Sequence, residues 1–316
     1  MEDSVQEVFN LIKKYPTIVL FGHYLPDGDC YGSQIALREI LRATYPDKKV
    51  YAVGSGLPIM FDRLGAMDVI DDKTVKGSLG ILVDVSDFPL VEDKRYVLAS
   101  QIAKIDHHYE NSEFAHPKIL DREVIATAEL IARIALKEGL KITKRGAEAI
   151  FLGIVTDSGR FLYSPTRKET FQIIAQLYDY GLETKPIYDI IYQTQENQLK
   201  YKGFLLSHYQ KTSHNVIYCY TSKDDYLPLG LDFAYASSQV NVLANIQNCP
   251  VFALFTQSED GALRVELRSN TIPIRDVAVK HGGGGHANAA GVRMNVGGYQ
   301  EAMKIVEDLD ELVKEK

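Results

Sequence analysis

Ile105-Asp106-His107-His108 closes an apolar, strand-like run that begins at Ser100, and a polar turn follows it. Two adjacent histidines behind an aspartate stand out in a chain that contains only eight histidines. Imidazole nitrogens and carboxylate oxygens are frequent ligands of divalent metal ions, or supports of such ligands. On its own the stretch is equally compatible with a polar turn, so the other polar clusters of the chain have to distinguish the two interpretations.

Apolar runs of strand length alternate with helical patterns through the first part of the chain. The expected strands span residues 17–21, 49–53, 79–83 and 100–105, and the expected helices span 2–15, 30–45, 126–138, 144–155, 168–180 and 187–192. This alternation predicts an α/β domain with a doubly wound, mainly parallel sheet. Ligands bind beyond the carboxyl ends of the strands in such sheets. His23, Asp84 and Asp106 all come at strand ends, so we expect these side chains to lie close together.

A chain of 316 residues predicts two domains rather than one. We expect a metal-binding catalytic domain over residues 1–190, a helical linker over 191–210 and a smaller α+β domain over 211–316. The expected strands of the smaller domain span 216–221, 250–257 and 262–268, and its expected helices span 237–246, 274–280 and 299–313.

Charge and composition argue against several kinds of partner. The net charge is −7, whereas proteins that hold long nucleic acid usually present a basic face. A long duplex is therefore not expected as a partner, while a small anion held by metal ions and a few arginines is compatible. No apolar run approaches membrane-spanning length, no signal-peptide pattern opens the chain, and the three cysteines form no paired motif. We expect a cytoplasmic protein without membrane contact.

The first of the other polar clusters is His23-x-x-x-Asp27-x-Asp29, which follows the first predicted strand. Pro26 and Gly28 mark a turn, so three ligand-type side chains can converge from a single loop. The alternative is a strand-to-helix turn in which Asp29 caps the helix. A cap explains one aspartate but leaves the histidine and the second aspartate unexplained, so metal binding is favoured.

Two further aspartates end apolar segments. Asp84 follows a strand, and Asp157 follows a helix and precedes Gly159. Each of them alone is explained as well by a cap or a turn. Together with the first loop and the Asp106-His107-His108 stretch, they supply enough oxygen and nitrogen donors for two metal ions. Mixed carboxylate and imidazole donors suit two Mn²⁺ ions, with Mg²⁺, Co²⁺ or Fe²⁺ as alternatives, and such ion pairs act in phosphatases and nucleases.

The last cluster lies in the predicted smaller domain, where an arginine-containing strand is followed by four consecutive glycines and a histidine. Consecutive glycines leave backbone N–H groups free to approach a phosphate. Residues 261–300 contain five basic and two acidic side chains, a local charge of +3 in an acidic chain. Phosphate or nucleotide binding is therefore favoured over a flexible turn with scattered charge. The candidate substrate-binding residues are Arg264, Arg268, Ser269, Gly283, Gly284, Gly285 and His286.

The motifs occur in the order known from the DHH phosphoesterase superfamily, which the chain therefore resembles. They are His23-x-x-x-Asp27-x-Asp29, Asp84, Asp106-His107-His108 and Asp157. The glycine stretch with Arg268-Ser269 resembles the DHHA1 domain, and the layout of nearly the whole chain is similar to the NrnA-type branch. Enzymes of that branch degrade RNA of two to five nucleotides and dephosphorylate adenosine 3',5'-bisphosphate (pAp). Close relatives cleave linear dinucleotides such as pApA and, in some cases, cyclic di-AMP.

The resemblance implies a role for each residue of the motifs. One Mn²⁺ would be held by His23, Asp27 and Asp84, and the other by Asp29, Asp84, His107 and Asp157. Asp84 would bridge the two ions, Asp106 would orient a histidine, and His108 would contact the scissile phosphate. These three residues form the implied catalytic group. The substrate-binding residues of the smaller domain would hold the terminal phosphate or the distal nucleotide, which favours short RNA and nucleotides as substrates. We also expect a homodimer.

Other interpretations stay open at this stage. A RecJ-like single-strand exonuclease usually carries additional strand-gripping domains, and a family II pyrophosphatase lacks the glycine–histidine block. A cyclic-dinucleotide phosphodiesterase and a nucleotide-binding sensor without turnover are the remaining alternatives. The chain also departs from the NrnA-type pattern, because Asp84-Val85-Ser86-Asp87 replaces the usual Asp-Thr-Ala-Asn and Cys30 replaces an alanine. The preferred substrate therefore does not follow from the motifs alone.

Overall fold

The alternating patterns of the first part of the chain fold into one parallel sheet. The structure, a computed structural model, describes residues 2–108, 115–163 and 166–316, and the chain divides into two compact units, Met1–Tyr192 and Gln193–Lys316. The strands of the first unit are β1 (Thr17–Phe21), β2 (Lys49–Val53), β3 (Leu79–Val83), β4 (Gln101–Asp106) and β5 (Lys118–Leu120). The edge strand β5 was not predicted, because three residues with a lysine at one end carry no strand pattern.

The strand order explains the positions of the polar clusters at the ends of the strands. The order is β2-β1-β3-β4-β5, and every neighbouring pair is parallel. After β2 the chain crosses back over β1 and continues on the other side with β3, so the direction of winding reverses between β1 and β3. The predicted doubly wound α/β architecture is confirmed. His23 lies beyond the end of β1 and Asp84 directly beyond β3, at the place where such sheets bind ligands.

Helices cover mainly one face of this sheet. They are α1 (Glu2–Lys14), α2 (Gly28–Thr44), α3 (Phe61–Leu64), α4 (Asp72–Val75), α5 (Thr127–Lys137), α6 (Lys144–Asp157), α7 (Lys168–Leu177) and α8 (Thr184–Ile191). Apolar side chains from both the strands and these helices form one core, which includes Ile18, Leu20, Ile81, Ile35 and Ile150. The opposite face packs against short turns, where the rings of Phe88 and Tyr96 stack 5.3 Å apart.

Helices α2 and α6 pack unusually close together because glycines line their contact. A Cβ atom on Gly32 would lie 2.5 Å from the carbonyl oxygen of Ala149, and one on Gly153 would lie 2.6 Å from Asp29 Oδ1. Any larger side chain would therefore push the helices apart. The close approach brings Asp29, near the start of α2, towards Asp157, the last residue of α6.

The second unit contains a mixed six-stranded sheet. Its strands are β6 (Gln210–Lys211), β7 (Val216–Thr221), β8 (Val251–Gln257), β9 (Leu263–Ser269), β10 (Gly284–Gly285) and β11 (Ala289–Met294), in the order β10-β11-β9-β8-β7-β6. Only the pairing of β7 with β8 is parallel among these described strands. Its helices are α9 (Glu196–His208), α10 (Lys223–Tyr226), α11 (Phe233–Ser237), α12 (Arg275–Lys280) and α13 (Tyr299–Lys314). The expected smaller α+β domain is confirmed.

Three details of this unit differ from the sequence expectations or extend them. The predicted helix over 237–246 is wrong, because only a 3₁₀ helix forms at Gln239–Leu243, and the left-handed backbone of Asn245 and Asn248 prevents its continuation. The last two glycines of the block form the short strand β10, which was not predicted. Helix α9 occupies most of the predicted linker, and its buried Tyr201 and Leu205 join an apolar cluster of the second unit.

Six short 3₁₀ helices complete the regular structure of the described ranges. They span Pro58–Met60, Phe88–Leu90, Lys94–Leu98, Tyr178–Tyr180, Leu227–Leu229 and Gln239–Leu243. No helix in the described part of the chain has both the length and the apolar character that crossing a membrane requires.

Candidate metal centre

Asp84 lies at the centre of the polar clusters. It is the first residue after β3, is only 1% exposed, and has a left-handed φ of 59°. A non-glycine residue in that conformation costs about 1–2 kcal/mol and is often found at functional sites. Its two carboxylate oxygens face two different histidines. Oδ2 lies 3.7 Å from His23 Nε2, and Oδ1 lies 3.7 Å from His107 Nε2.

The ring nitrogen of His23 that faces this centre is Nε2, and in the neutral ring it carries no hydrogen. Its Nδ1 lies 3.0 Å from the carbonyl oxygen of Tyr24, which can only accept, so Nδ1 carries the proton of the neutral ring. Nε2 then directs a lone pair towards Asp84 Oδ2 and towards Asp27 Oδ1, which is 3.8 Å away. Nitrogen and oxygen lone pairs that face each other at this distance repel unless a cation lies between them.

Asp27, not Asp29, caps helix α2. The Asp27 carboxylate accepts hydrogen bonds from the backbone N–H groups of Asp29 and Cys30, at 3.0 and 2.9 Å. Capping therefore does not account for Asp29. The buried thiol of Cys30 also lies near this loop, and the backbone N–H of His23 donates to it at 3.2 Å.

His107 faces a second set of carboxylates. Its Nε2 is buried and has no hydrogen-bond partner among the described residues. The same atom lies 3.8 Å from Asp29 Oδ2 and 3.4 Å from Asp157 Oδ2. Its other ring nitrogen, Nδ1, lies 3.4 Å from the carbonyl oxygen of Val124, which again favours the proton on Nδ1. An orphaned nitrogen that faces carboxylates is the arrangement expected where a metal ion binds.

The start of helix α5 orients two of these carboxylates. The backbone N–H groups of Thr127 and Ala128 donate to Asp29 Oδ2 and Oδ1, at 2.7 and 2.9 Å, and Ser33 Oγ donates to Oδ1 at 3.1 Å. Two donors therefore occupy Oδ1, while Oδ2 keeps a lone pair on the side of His107. The Thr127 hydroxyl donates to Asp84 Oδ1 at 2.7 Å. Thr127 was not predicted, because nothing in the local sequence relates it to aspartates so far away in the chain.

The crowded carboxylates have strongly altered acidities. Burial, followed by the charges of Asp29 and Asp27, raises the pKa of Asp84 well above its usual range. The same causes raise the pKa of Asp157 to about 7, and burial raises the pKa of Asp29. For Asp27, burial is outweighed by the proximity of His23 and by hydrogen bonds from the backbone N–H groups of Asp29 and Cys30, so the pKa is lowered. The centre thus concentrates negative charge that the surrounding protein does not balance, and divalent cations would balance it.

Distances within the cluster also fit metal ions. Three overlapping groups have ligand atoms within 4.8 Å of one another, namely His23/Cys30/Asp84, Asp84/His107/His108 and Asp29/His107/Asp157. Two ligands that each lie about 2.1 Å from one ion are about 3–4 Å apart. The separations of 3.4–3.8 Å between the facing nitrogens and oxygens agree with that spacing. The residues present therefore fit the two cations that the sequence predicts.

Asp106 and His108 form a pair at the edge of this cluster, where His108 Nδ1 also lies 3.5 Å from Asp84 Oδ1. The fully buried Asp106 accepts three hydrogen bonds at Oδ1, from the backbone N–H groups of His107 and His108 at 2.9 and 3.2 Å and from His108 Nδ1 at 2.8 Å. Although burial opposes it, hydrogen bonding to His108 and the charge of Lys104 lower the pKa of Asp106 to about 2. The Asp106 carboxylate in turn raises the pKa of His108. The His108 side chain is 43% exposed, so its ring is accessible to a substrate.

The arginines predicted to bind substrate share one face of β9 in the second unit. Arg264 Nε lies 2.8 Å from Glu266 Oε1, and Arg268 lies 3.2 Å from Glu266 Oε2. Arg293 of β11 pairs in register with Arg264. An open groove of about 850 Å³ includes Arg264, Glu266 and Arg293 in its lining. The acids Glu259 and Asp260 also line this groove, so phosphate binding on this face stays a prediction.

The glycine block is more ordered than the sequence suggests. Gly284 and Gly285 pair with β11, Gly285 has a φ of 135°, and a Cβ on Gly283 would collide with the carbonyl oxygen of Gly291. The backbone N–H of Gly283 already donates to Ala278 at 2.8 Å, so it is not available to a phosphate in this structure. Ser269 Oγ accepts from two backbone N–H groups of the following turn, and His286 is exposed.

Comparison with known proteins identifies the family of the chain. The family profile described as the DHH family, N-terminal domain, matches residues 17–154, and the DHHA1 domain profile matches residues 214–315. The chain is 33% identical to the bifunctional oligoribonuclease and PAP phosphatase NrnA of Bacillus subtilis over 98% of both chains. It is likewise 33% identical to the protein of the same name from Mycoplasma genitalium, over 91% of this chain and 92% of the relative.

A solved structure agrees with this grouping at the level of the fold. An exopolyphosphatase-related protein from Bacteroides fragilis superposes with a TM-score of 0.88 and 24% identity, over 99% of this chain and 98% of that chain. Both profiles, in the expected order, and relatives that match over nearly their full length lead to one conclusion: this chain is a member of the DHH family, with a DHH domain followed by a DHHA1 domain.

Proposed function

We propose that this chain is a Mn²⁺-dependent phosphoesterase that hydrolyses very short oligoribonucleotides and pAp. The observation that carries the proposal is the geometry around Asp84, whose two carboxylate oxygens face His23 and His107 separately at 3.7 Å. A carboxylate with that arrangement is suited to bridge two cations. The substrate class is supported by relatives of nearly the same length, which are named bifunctional oligoribonuclease and PAP phosphatase.

The proposed ligands divide between two cations. His23, Asp27 and Asp84 Oδ2 would hold one ion, and Asp84 Oδ1, Asp29, His107 and Asp157 would hold the other. When bound, such ions neutralise phosphate oxygens and lower the pKa of a nearby water. Carboxylate and imidazole donors in this proportion favour Mn²⁺, and Mg²⁺ or Co²⁺ would be substitutes.

His108 is the proposed contact to the scissile phosphate. Its Nδ1 donates to Asp106, so its Nε2 is directed away from that pair. Because the pKa of His108 is raised, the ring carries a proton on Nε2 over more of the neutral range than a free histidine does. That proton would hydrogen-bond a phosphate oxygen and then pass to the oxygen that leaves phosphorus. Asp106 would keep the ring in the orientation that this transfer requires.

The second unit is proposed to bind the part of the substrate that does not react. Glu266 holds both Arg264 and Arg268 in place, and a guanidinium has five N–H donors, so each arginine retains donors for a phosphate. Ser269, His286 and the glycines Gly283, Gly284 and Gly285 stay predicted contributors. Tight binding of a terminal phosphate by this face would favour substrates of a few nucleotides over long strands.

A substrate panel tests this proposal. Purified protein with added Mn²⁺ is incubated with end-labelled RNA from dinucleotides to strands of about two dozen nucleotides, and with pAp, pApA, cyclic di-AMP and pyrophosphate. We expect the shortest RNAs and pAp to be hydrolysed fastest, and Asp84→Ala to hydrolyse none of them.

Other outcomes of the panel would contradict the proposal in distinct ways. Preference for long strands would indicate a RecJ-like exonuclease, and preference for cyclic di-AMP would indicate a cyclic-dinucleotide phosphodiesterase. Turnover of pyrophosphate would indicate a pyrophosphatase. Tight nucleotide binding with no turnover at any metal concentration would indicate a sensor.

Location and assembly are part of the proposal. A cytoplasmic location is supported by three cysteines that are all buried and free, as expected in a reducing compartment. The homodimer stays a prediction, which light scattering on the purified protein tests directly.

A further inference from the structure

Strand β4 places a lysine inside the first unit, two residues before the DHH aspartate. Lys104 is fully buried. It lies two residues before Asp106 in the strand, so both side chains point to the same face. Its in-register neighbours are Leu82 of β3, which belongs to an apolar cluster, and Lys118 of the edge strand β5. Burying an ammonium group in such surroundings costs several kcal/mol unless its charge is well paired. An apolar side chain would fill this position at lower cost, so the lysine requires an explanation beyond packing.

Lys104 forms an ion pair with Asp106 Oδ2, the carboxylate oxygen that accepts no hydrogen bond from the two histidines. All three donors from His107 and His108 converge on Asp106 Oδ1, whereas Lys104 Nζ lies 2.8 Å from Asp106 Oδ2. Hydrogen bonding and charge therefore both oppose rotation of the carboxylate: Oδ1 accepts the hydrogen bonds, while Oδ2, which has no hydrogen-bond partner among the described residues, faces the Lys104 ammonium. The carboxylate thus faces donors on both of its oxygens and is the acceptor in these contacts.

A fixed acceptor determines the direction of the His108 ring. Because an ionised carboxylate cannot donate, the proton of this bond belongs to His108 Nδ1, and Nε2 is left for the substrate. The ring also lies edge-on to His107, with centroids 4.4 Å apart. The ring is 43% exposed and its Nδ1 also lies 3.5 Å from Asp84 Oδ1, but the shorter bond to Asp106 sets its direction, so a loose Asp106 would let it turn.

We infer that Lys104 is a positioning residue that locks the Asp106 carboxylate and thereby aims His108 at the scissile phosphate. The part of this inference that concerns the phosphate rests on the proposed function. The locking itself does not, because it is a property of the protein without substrate. In this scheme Lys104 touches neither the substrate nor the proposed metal ligands, and it acts on His108 through Asp106.

A double-mutant cycle separates this role from general support of the fold. Lys104→Met is compared with wild type, and the same change is made in a His108→Ala background, with turnover measured on the best substrate of the panel. We expect Lys104→Met to lower kcat by about tenfold to a hundredfold, as loss of a supporting contact does in metal sites, with little change in KM. In the His108→Ala background the same change should cause no further loss.

Arg38→Met is the matched control, because it also removes a buried basic side chain that pairs with an aspartate. It should lower thermal stability and leave kcat unchanged. Metal content, measured by elemental analysis, should equal that of wild type in both lysine and arginine variants. An equal loss of kcat from Lys104→Met in both backgrounds would overturn the inference, as would a loss of metal that parallels the loss of activity.

A spectroscopic measurement tests the locking without any turnover. In metal-free protein, the hydrogen-bonded Nδ1 proton of His108 should give a downfield proton NMR signal that is absent in His108→Ala. We expect this signal to be lost or broadened in Lys104→Met, and an unchanged signal would overturn the inference. The result is independent of the substrate, so failure of the proposed function and failure of this inference are distinguishable.

A neutral pair provides the test if Lys104→Met alone does not fold. Lys104→Met combined with Asp106→Asn removes both charges of this ion pair. Because Lys104 acts through Asp106, this double variant should have the same kcat as Asp106→Asn alone. A further loss in the double variant would show that the lysine acts by another route.

Discussion

Aspartates of the second unit are paired with hydrogen-bond donors, whereas those at the centre of the first unit are crowded together. In the second unit, Asp308 lies 2.8 Å from Lys280 Nζ and 2.7 Å from His281 Nε2, and Asp310 accepts hydrogen bonds from Thr212 and His214. These partners outweigh partial burial and lower the pKa of both carboxyls. At the centre of the first unit, by contrast, Asp84, Asp29 and Asp157 are crowded together and their pKa values are raised.

The contrast separates acids that stabilise a fold from acids that are assembled for a ligand. A paired aspartate lowers the free energy of the folded protein by itself. Crowded, buried aspartates raise it, and they persist only where something else compensates. Asp68 shows that the first unit can also pair its acids, because Arg38 and Arg42 both bind it at 3.0 Å. The crowding around Asp84 is therefore local to the proposed metal centre.

The largest expected effect comes from removing the central carboxylate. Asp84→Ala should reduce hydrolysis of every substrate in the panel to background, because both proposed cation sites lose a ligand at once. The matched control is Asp68→Ala, which removes a paired aspartate from the same unit. That control should lose stability but keep its turnover number. Substantial turnover by Asp84→Ala would show that the crowded acids are not the reactive centre.

A smaller effect is expected on the basic face of β9. Arg268→Ala should raise KM by about tenfold to a hundredfold, since a hydrogen bond to a charged group contributes about 1.5–3 kcal/mol. Bound metal should stay at the wild-type level, which elemental analysis measures alongside the kinetics. Arg275→Ala removes an equal charge from the exposed start of α12 and should change KM little. Equal effects of the two variants would mean that only overall charge matters.

Metal binding should stabilise the first unit by neutralising its crowded acids. At a free Mn²⁺ concentration about one hundred times Kd, each site should add about 2.7 kcal/mol to the free energy of unfolding. A thermal shift assay in the presence and absence of metal measures this gain. Asp84→Asn should lose most of the gain, while Asp310→Asn should keep it. An equal gain in both variants would place the metal elsewhere.

The metal-free protein should become less stable as the pH rises. The pKa of Asp157 is raised to about 7 by burial and by the charges of Asp29 and Asp27. The folded state therefore holds a proton that the unfolded chain releases near pH 4, so stability falls between about pH 4 and pH 7. After allowance for partial exposure the loss should be roughly 2 kcal/mol, and urea unfolding measures it. The same pH slope in Asp157→Asn would contradict this assignment.

The second unit should show the opposite dependence, with the smallest effect. The pKa of Asp310 is lowered to about 2 because hydrogen bonds from Thr212 and His214 outweigh burial. Its contribution, about 1 kcal/mol, is complete above about pH 4 and disappears as the pH falls towards about 2. Asp310→Asn should lack this acid sensitivity in unfolding experiments. A variant that loses stability in parallel with wild type over that range would show that another group is responsible.

Much of the first unit was predictable because its signals are local. Apolar runs bounded by turns predicted β1 to β4, and the rule that ligands bind at the carboxyl ends of parallel strands predicted that His23, Asp84 and Asp106 lie together. These inferences need only the apolar pattern along the chain and the rule for the carboxyl ends of parallel strands. The edge strand β5 and the helix over 237–246 were not predicted correctly, because short or β-branched segments depend on their tertiary neighbours.

The supporting residues were not predictable for a different reason. Thr127 contacts Asp84 and Asp29 only because α2, α5 and α6 pack closely through Gly32 and Gly153. Lys104 appears in the sequence as one polar residue in a strand, and its role depends on which way Asp106 turns. Such contacts follow from packing rather than from residue spacing.

Diffraction from crystals grown with Mn²⁺, recorded at the manganese absorption edge, tests the central proposal most directly. We expect two anomalous peaks on either side of the Asp84 carboxylate, one also contacted by His23 and Asp27 and the other by Asp29, His107 and Asp157. A single peak, or peaks away from Asp84, would contradict the two-cation centre on which the proposed function depends.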